Sequence, residues 1–329
     1  MADEHKTVVL GANGFLGSHV TKALVRSGRN VRAHVRSKRE PVENIAGLDV
    51  EMVYGDALDK DAMVEAMRGC GGVFHCIVDT RAWLHDPTPL YRVNIDGLRN
   101  SMEAALENDV KRFVFTSTVC TIGRNPSGVA TEEDAFNWKD LATHYVLARV
   151  EAENLFMDFC RRGLPGVACN VAMTWGEGDF QPTPHGRVLK DFLYGRFPIY
   201  WDMGQSMVDI NDAAQAMILA EEKGRIGERY VIAARFMTLK EVLDIGARHT
   251  GWNRLRIKLP MPVMYVISWL AQRITRLIGR ETRVNVDSLR LSFIMSDFDS
   301  TKARTELGWT PRPMEESIKE AADWYVAHP

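Results

Sequence analysis

Short apolar runs and longer amphipathic stretches alternate along roughly the first third of the chain. The runs at 7-10, 30-35, 50-54, 72-77 and 111-117 read as buried strands, and 14-27, 59-68 and 90-108 read as helices. In the last of these, Val93, Leu98, Met102, Ala105 and Leu106 recur at helical spacing, and Asn108-Asp109 marks its end. A second long helix is predicted over 140-161, closed by Arg161-Arg162-Gly163, with a strand at 166-171 after it. Strands alternating with crossover helices specify a parallel sheet covered on both faces. Beyond residue 175 the pattern loosens into turn chemistry, a helix near 186-194, an aromatic run from Phe197 to Trp201 and a helix at 211-222. The remaining hundred or so residues read as mostly helical, without repeat or low-complexity tract.

The first strand runs directly into Gly11-Ala-Asn13-Gly14-Phe15-Leu16-Gly17, and a helix follows. Glycines in that position permit a tight turn and bring backbone N–H groups close to a pyrophosphate. An ordinary glycine-rich turn is the bland alternative. The fold class expected is therefore α/β, a Rossmann-type doubly wound parallel sheet with a smaller, mostly helical substrate lobe. Residues 1-175, rejoined by 205-235, would form the nucleotide domain, and 176-204 with 236-329 the lobe. Where the second strand ends, a site for NAD commonly carries an acid for the ribose 2′-hydroxyl; here Arg36-Ser37-Lys38-Arg39 follows. That chemistry suits a 2′-phosphate and predicts NADP over NAD, unless the segment is simply a solvated basic turn.

Composition removes several other readings. Across 329 residues, 46% hydrophobic and 26% charged residues match a globular protein with a substantial core. With 41 basic against 43 acidic residues, the net charge of -2 offers no field for nucleic acid. The five cysteines form no C-x-x-C pair and sit among apolar neighbours, so buried thiols are expected and no metal site. Met1 to Lys6 is too short and acidic for a secretory leader, which points to a cytoplasmic protein. The apolar stretch 261-271 falls short of the about 20 residues a spanning helix needs. The wider segment 263-280 mixes apolar residues with arginines, as a helix covering a pocket does, or one making peripheral membrane contact.

Taken in order, the glycine loop, Gly55-Asp56-Ala57-Leu-Asp59, Val93-Asn94-Ile-Asp-Gly97, Thr116-Ser117-Thr118, Tyr145-x-x-x-Arg149 and Asp299-Ser-Thr-Lys-Ala-Arg-Thr-Glu-Leu-Gly-Trp309 resemble the extended short-chain dehydrogenase/reductases over nearly the whole chain. Within that superfamily the chain looks most like the dihydroflavonol reductase and 3β-hydroxysteroid dehydrogenase branch. The resemblance implies that Asp56 and Ala57 contact adenine, that Cys76, Thr116 and Val171 border the cofactor, and that Asn94 braces the active-site helix. It places Thr118 as the polarising hydroxyl, Tyr145 as the acid/base and Arg149 on the nicotinamide ribose. It also implies a homodimer through 90-108 and 140-161.

Two positions depart from the family's pattern. Arg149 stands where the family has Lys; it supplies charge but does not readily release a proton, and an exposed arginine on an amphipathic helix is the alternative reading. Val171 stands where many relatives have proline. On the substrate side, Trp83, Trp138, Met173, Trp175, Phe180 and Trp201 are candidates for contacts to a bulky apolar carbonyl or alcohol, although core residues have the same composition. The activity implied is hydride exchange between a hydrophobic ketone or aldehyde, steroid- or flavonoid-like, and its alcohol. A nucleotide-sugar epimerase or dehydratase, and a cofactor-binding sensor of little turnover, are the rival readings.

Overall fold

The computed structural model describes residues 6–125, 128–252, 256–291 and 296–329. The leader segment discussed above lies, apart from Lys6, outside the described residues. The chain opens with β1 (Lys6–Leu10), α1 (Phe15–Arg26), β2 (Val31–Val35), β3 (Glu51–Tyr54), α2 (Lys60–Met67) and β4 (Cys70–His75). A long helix follows in three parts: α3 (Thr88–Tyr91), a π-helical segment Arg92–Gly97, and α4 (Leu98–Glu107). Then come β5 (Arg112–Thr118), α5 (His144–Arg161), β6 (Gly166–Val171), β7 (Met173–Trp175), α6 (Pro184–Leu193), β8 (Ile199–Tyr200), β9 (Gly204–Asp209), α7 (Ile210–Lys223) and β10 (Arg229–Ile232). The chain closes with β11 (Arg235–Thr238), α8 (Leu239–Thr250), β12 (Ile257–Lys258), α9 (Met261–Leu277), α10 (Val286–Arg290) and α11 (Met314–Ala327).

Seven strands make one parallel sheet in the order β10-β6-β5-β4-β1-β2-β3. The direction of winding reverses between β1 and β4, whose registers pair Leu10 with His75. That reversal opens a crevice at the carboxyl ends of the strands, the usual ligand position of such sheets. One face buries Val9, Val20, Leu24 and Phe74 beneath α1 and α7; the other buries Val8, Leu10, Phe113, Phe115 and Phe156 beneath α2, α4 and α5. A small sheet, β11-β9-β7, carries the third core, in which Trp175, Leu189, Leu243 and Ile318 join α6, α8 and α11.

Packing departs from the two-part division read in the sequence: Trp175 and Met207 sit in the third core. Phe298, Ala303, Leu307 and Trp309 belong to the nucleotide-domain core, not to the lobe. The Trp309 indole donates to the Asp212 carbonyl at 2.9 Å, and Lys302 reaches the Arg229 carbonyl at 3.0 Å. Because this segment has the composition of an ordinary amphipathic stretch, its return across the sheet edge leaves no local signal. The β7, β9 and β11 strands were likewise missed, being short and stabilised by mutual pairing rather than by periodicity.

Candidate functional site at the strand carboxyl ends

The loop after β1 is shaped by its glycines. Gly11 has φ +79°, a conformation disfavoured for side-chain-bearing residues. A Cβ on Gly17 would lie 2.1 Å from the Gly11 carbonyl oxygen, so only glycine lets α1 approach β1 this closely. Gly14 caps α1 without a side-chain hydrogen bond, and the first turn holds no acid. The amides and the positive end of the helix dipole are thus presented to an anion, as a dinucleotide pyrophosphate requires. Asn13 is fixed on both sides: its Nδ2 donates to the Pro41 carbonyl at 3.0 Å, and its carbonyl accepts from Asn44 at 2.8 Å. Phe15 packs edge-on to His19, and Leu16 packs on the core.

Around the same crevice stand the other candidate cofactor residues. Arg36, at the end of β2, is two-thirds exposed and paired with Glu40. Asp56 accepts from the Leu58 amide at 2.9 Å, and the Ala57 carbonyl is held by Asn100 at 3.0 Å. Cys76 closes against Gly11 and receives the Thr116 hydroxyl at 3.6 Å; burial pushes its thiol up to about 12, so it is no thiolate nucleophile. Val171 is buried at the end of β6. Asn94 lies within the π-helical segment, where its Oδ1 accepts from the Asp79 amide at 3.1 Å and its Nδ2 donates to the Asp79 carbonyl at 2.9 Å. It therefore pins the loop leaving β4.

Thr118, Tyr145 and Arg149 meet at the edge of this crevice. Thr143 caps α5 by accepting from the Val146 amide, and the helix places Tyr145, Arg149 and Glu153 at successive four-residue steps. The Thr118 hydroxyl, which accepts from the Cys120 amide at 3.3 Å, lies beside Tyr145. Burial pushes the Tyr145 phenol up to about 12, while the positive charge of Arg149 and the nearby Thr118 hydroxyl act in the opposite direction. Arg149 is 1% exposed, which removes the reading of a solvated helix arginine. Its guanidinium donates to the Thr116 carbonyl and lies 5.2 Å over the Phe115 ring, while its Nε has no hydrogen-bond partner among the described residues. Desolvation lowers its pKa, opposed by the neighbouring Tyr145 and Glu153.

Beneath this group lies a polar cluster that sequence reasoning missed. Buried Glu153 accepts from Ser117, from Thr121 at 2.9 Å, from Asn170 at 2.7 Å and from Arg229 at 2.8 Å. It ties β5, β6, β10 and α5 together behind the reacting side chains. The available signal was its place four residues after Arg149, on the same face of the helix.

The aromatic candidates do not form a single wall. Trp138 is buried beside Phe136, Val146 and Tyr145, its indole donating to the Ile122 carbonyl at 3.1 Å. Trp83 lies in the loop after β4, under the Arg283 guanidinium. Met173 and Trp175 line a cavity of about 40 Å³ with His185, Met207 and Met237. That volume holds a water or two, not a ring system. Trp201 packs on the core of the small sheet. Phe180 lies apart from Tyr145's cluster, stacked edge-on to Trp324 with centroids 4.7 Å apart and 42% exposed. Core and pocket draw on the same residue types, so composition does not separate them.

The model of the NAD dependent epimerase/dehydratase family matches residues 7–233, the span from β1 through β10. The chain belongs to that family. Among curated members of known description, it is 30% identical to sterol demethylase protein B of Methylococcus capsulatus over 97% of this chain and 98% of that one. It is 29% identical to cinnamoyl-CoA reductase 1 of Petunia hybrida over 72% of this chain and 75% of that one. The crystal structure of gox2253 superposes with a TM-score of 0.86 at 31% identity, covering 99% of both chains. UDP-glucose 4-epimerase from Thermotoga maritima, solved with UDP-glucose, shares the fold with a TM-score of 0.79 at 22% identity over 98% of this chain and 99% of that one. As a member of the family, the chain has the architecture of a nicotinamide-dinucleotide enzyme, and reductases are among its relatives.

Proposed function

We propose that the protein is an NADP-dependent reductase of a hydrophobic ketone or aldehyde, steroid- or flavonoid-like in its apolar bulk, with Tyr145 as the proton donor. The observation that carries this reading is the convergence of Tyr145, Thr118 and Arg149 on the crevice where the sheet reverses. A bound nicotinamide would supply hydride to the carbonyl carbon. Tyr145 holds its proton through the physiological range because its phenol lies near 12, so it is poised to donate to a carbonyl oxygen rather than to abstract. Thr118, beside the same phenol, polarises that carbonyl oxygen. Arg149 stabilises the phenolate left after proton transfer, and the Glu153 cluster keeps the helix face in register.

For the cofactor, Gly11, Gly14 and Gly17 shape the pyrophosphate loop, and Arg36 is the group for a 2′-phosphate, which would compete with Glu40 for the guanidinium. The names of the reductase and sterol-related relatives support an apolar carbonyl substrate. The nucleotide-sugar reading draws on the epimerase/dehydratase family model and on fold likeness. The test is loss of NADPH absorbance with a panel of hydrophobic ketones, run alongside NADH, in the native protein and in Tyr145→Phe. Turnover favouring NADPH, reduced by about 10² or more in Tyr145→Phe, is the expected result. Firm NADPH binding with no turnover on any ketone would identify a sensor instead.

A further inference from the structure

Helix α9 is built inside out. Of its 17 residues only Met264 and Ser268 are buried, and Ala271, Gln272 and Thr275 on the same side are half-buried. The inward side is thus mostly small or polar. The large apolar side chains point outward: Val263, Val266, Ile267, Leu270, Ile274 and Leu277 are exposed, from 40% for Ile267 to 86% for Leu277. They recur at steps of three and four residues and form one stripe, which a helix of a water-soluble surface would normally turn inward.

Beside the stripe, α9 and α10 enclose a groove of about 270 Å³ lined by Tyr265, Trp269, Arg273, Arg276, Asp287 and Arg290 among others. Arg273 lies 5.3 Å over the Trp269 ring, and Asp287 pairs with Arg290 at 3.8 Å. The segment 261–291 carries five arginines (Arg273, Arg276, Arg280, Arg283 and Arg290) against Glu281 and Asp287, a net +3 in a chain whose total is -2. Apolar and cationic surface are therefore concentrated on one lobe.

We propose that this lobe docks on an acidic lipid bilayer, with α9 lying in the interface plane, its apolar stripe among acyl chains and its arginines on lipid phosphates. A second copy of the chain fits the lobe less well, since a two-fold contact through the same face would set +3 against +3. Spanning is not at issue: among the described residues no helix is long and apolar enough to cross a membrane. The docked lobe also borders the reacting group. Glu281 accepts from the His85 amide at 3.0 Å, Asn285 donates to the Trp83 carbonyl at 3.3 Å, and Leu291 packs against the cluster holding Trp138 and Tyr145. A membrane-dissolved ketone would meet the site at that rim; this delivery rests on the reductase reading, whereas the docking does not.

The experiment is sedimentation of the full-length protein with phosphatidylcholine vesicles, alone or mixed with phosphatidylglycerol, at low and high salt. Expected is pelleting about tenfold stronger with the acidic vesicles, weakened by salt. Leu270→Glu with Ile274→Glu should abolish it, and Arg273→Gln with Arg276→Gln should remove the preference for acidic lipid. All four side chains are exposed, so melting temperature checks that the variants fold; the lipid and salt dependence of the native protein decides the matter should they not. A native protein that stays in the supernatant, or variants that pellet like the native, overturn the proposal. Pelleting is read without turnover: a working reductase that does not pellet defeats the docking alone, and pelleting without ketone reduction defeats the functional reading alone.

Discussion

Arg149 decides how Tyr145 behaves. It is buried and desolvated, with its guanidinium over Phe115 and bonded to the Thr116 carbonyl, and its charge holds the Tyr145 phenol below the value that burial alone would set. Replacing it with Met, similar in reach but neutral, removes that pull and leaves the Thr116 carbonyl without its donor. The Tyr145 pKa rises, so alcohol oxidation, which needs the phenolate, should fall about tenfold or more and recover only at more alkaline pH; pH–rate profiles of native and Arg149→Met protein check this. At this scale the glycines were legible in the sequence because their role is backbone geometry, which residue type alone dictates. The burial of Arg149 was not, because the cavity that swallows it is made by Phe115 and its neighbours on a different element.

Among the elements, the strand–helix alternation carried the parallel sheet and its crossover helices, but not the order of its strands. The helix at 90-108 was also legible, but not its π-helical segment at Arg92–Gly97. Hydrophobic periodicity tolerates one extra residue per turn, so nothing in the pattern marks the bulge. Its consequence is chemical: the bulge sets Asn94 against both polar groups of the Asp79 backbone. In Asn94→Ala those buried groups lose their partners, and urea unfolding should show a loss of about 1–3 kcal/mol. NADPH affinity should weaken in parallel, because the loop after β4 then moves against Gly11 and the cofactor crevice. Unchanged stability would mean that the loop is held by other contacts.

For the molecule as a whole, three histidines on the nucleotide domain make its stability depend on acid. His19 and His34 are each brought down to about 4 and His75 to about 3, in every case chiefly by burial. The folded state thus keeps them neutral while the unfolded chain binds protons near pH 6.5. Their contribution is complete above that pH and is lost progressively as pH falls from 6.5 toward 4. His75, packed against Phe113 and Phe115, has no hydrogen-bond partner for either ring nitrogen among the described residues. His75→Leu should therefore flatten the loss between pH 7 and 5 and gain on the order of 1 kcal/mol at pH 5, read by denaturant midpoints at the two values. At this scale the doubly wound α/β fold was legible, while the return of Phe298 to Trp309 into the core of the seven-stranded sheet was not, since long-range packing has no signature in local pattern.

In the proposed reaction, proton delivery by Tyr145 is coupled to hydride transfer at a carbonyl carbon. Its most direct test is to incubate the protein with NADPH deuterated at the transferring C4 position and a hydrophobic ketone, and to weigh the alcohol formed. One deuterium on the carbinol carbon is expected with the native protein, and a rate lower by about 10² or more with Tyr145→Phe. Label transferred equally fast by Tyr145→Phe, or no label transferred from bound NADPH to any ketone, would contradict it.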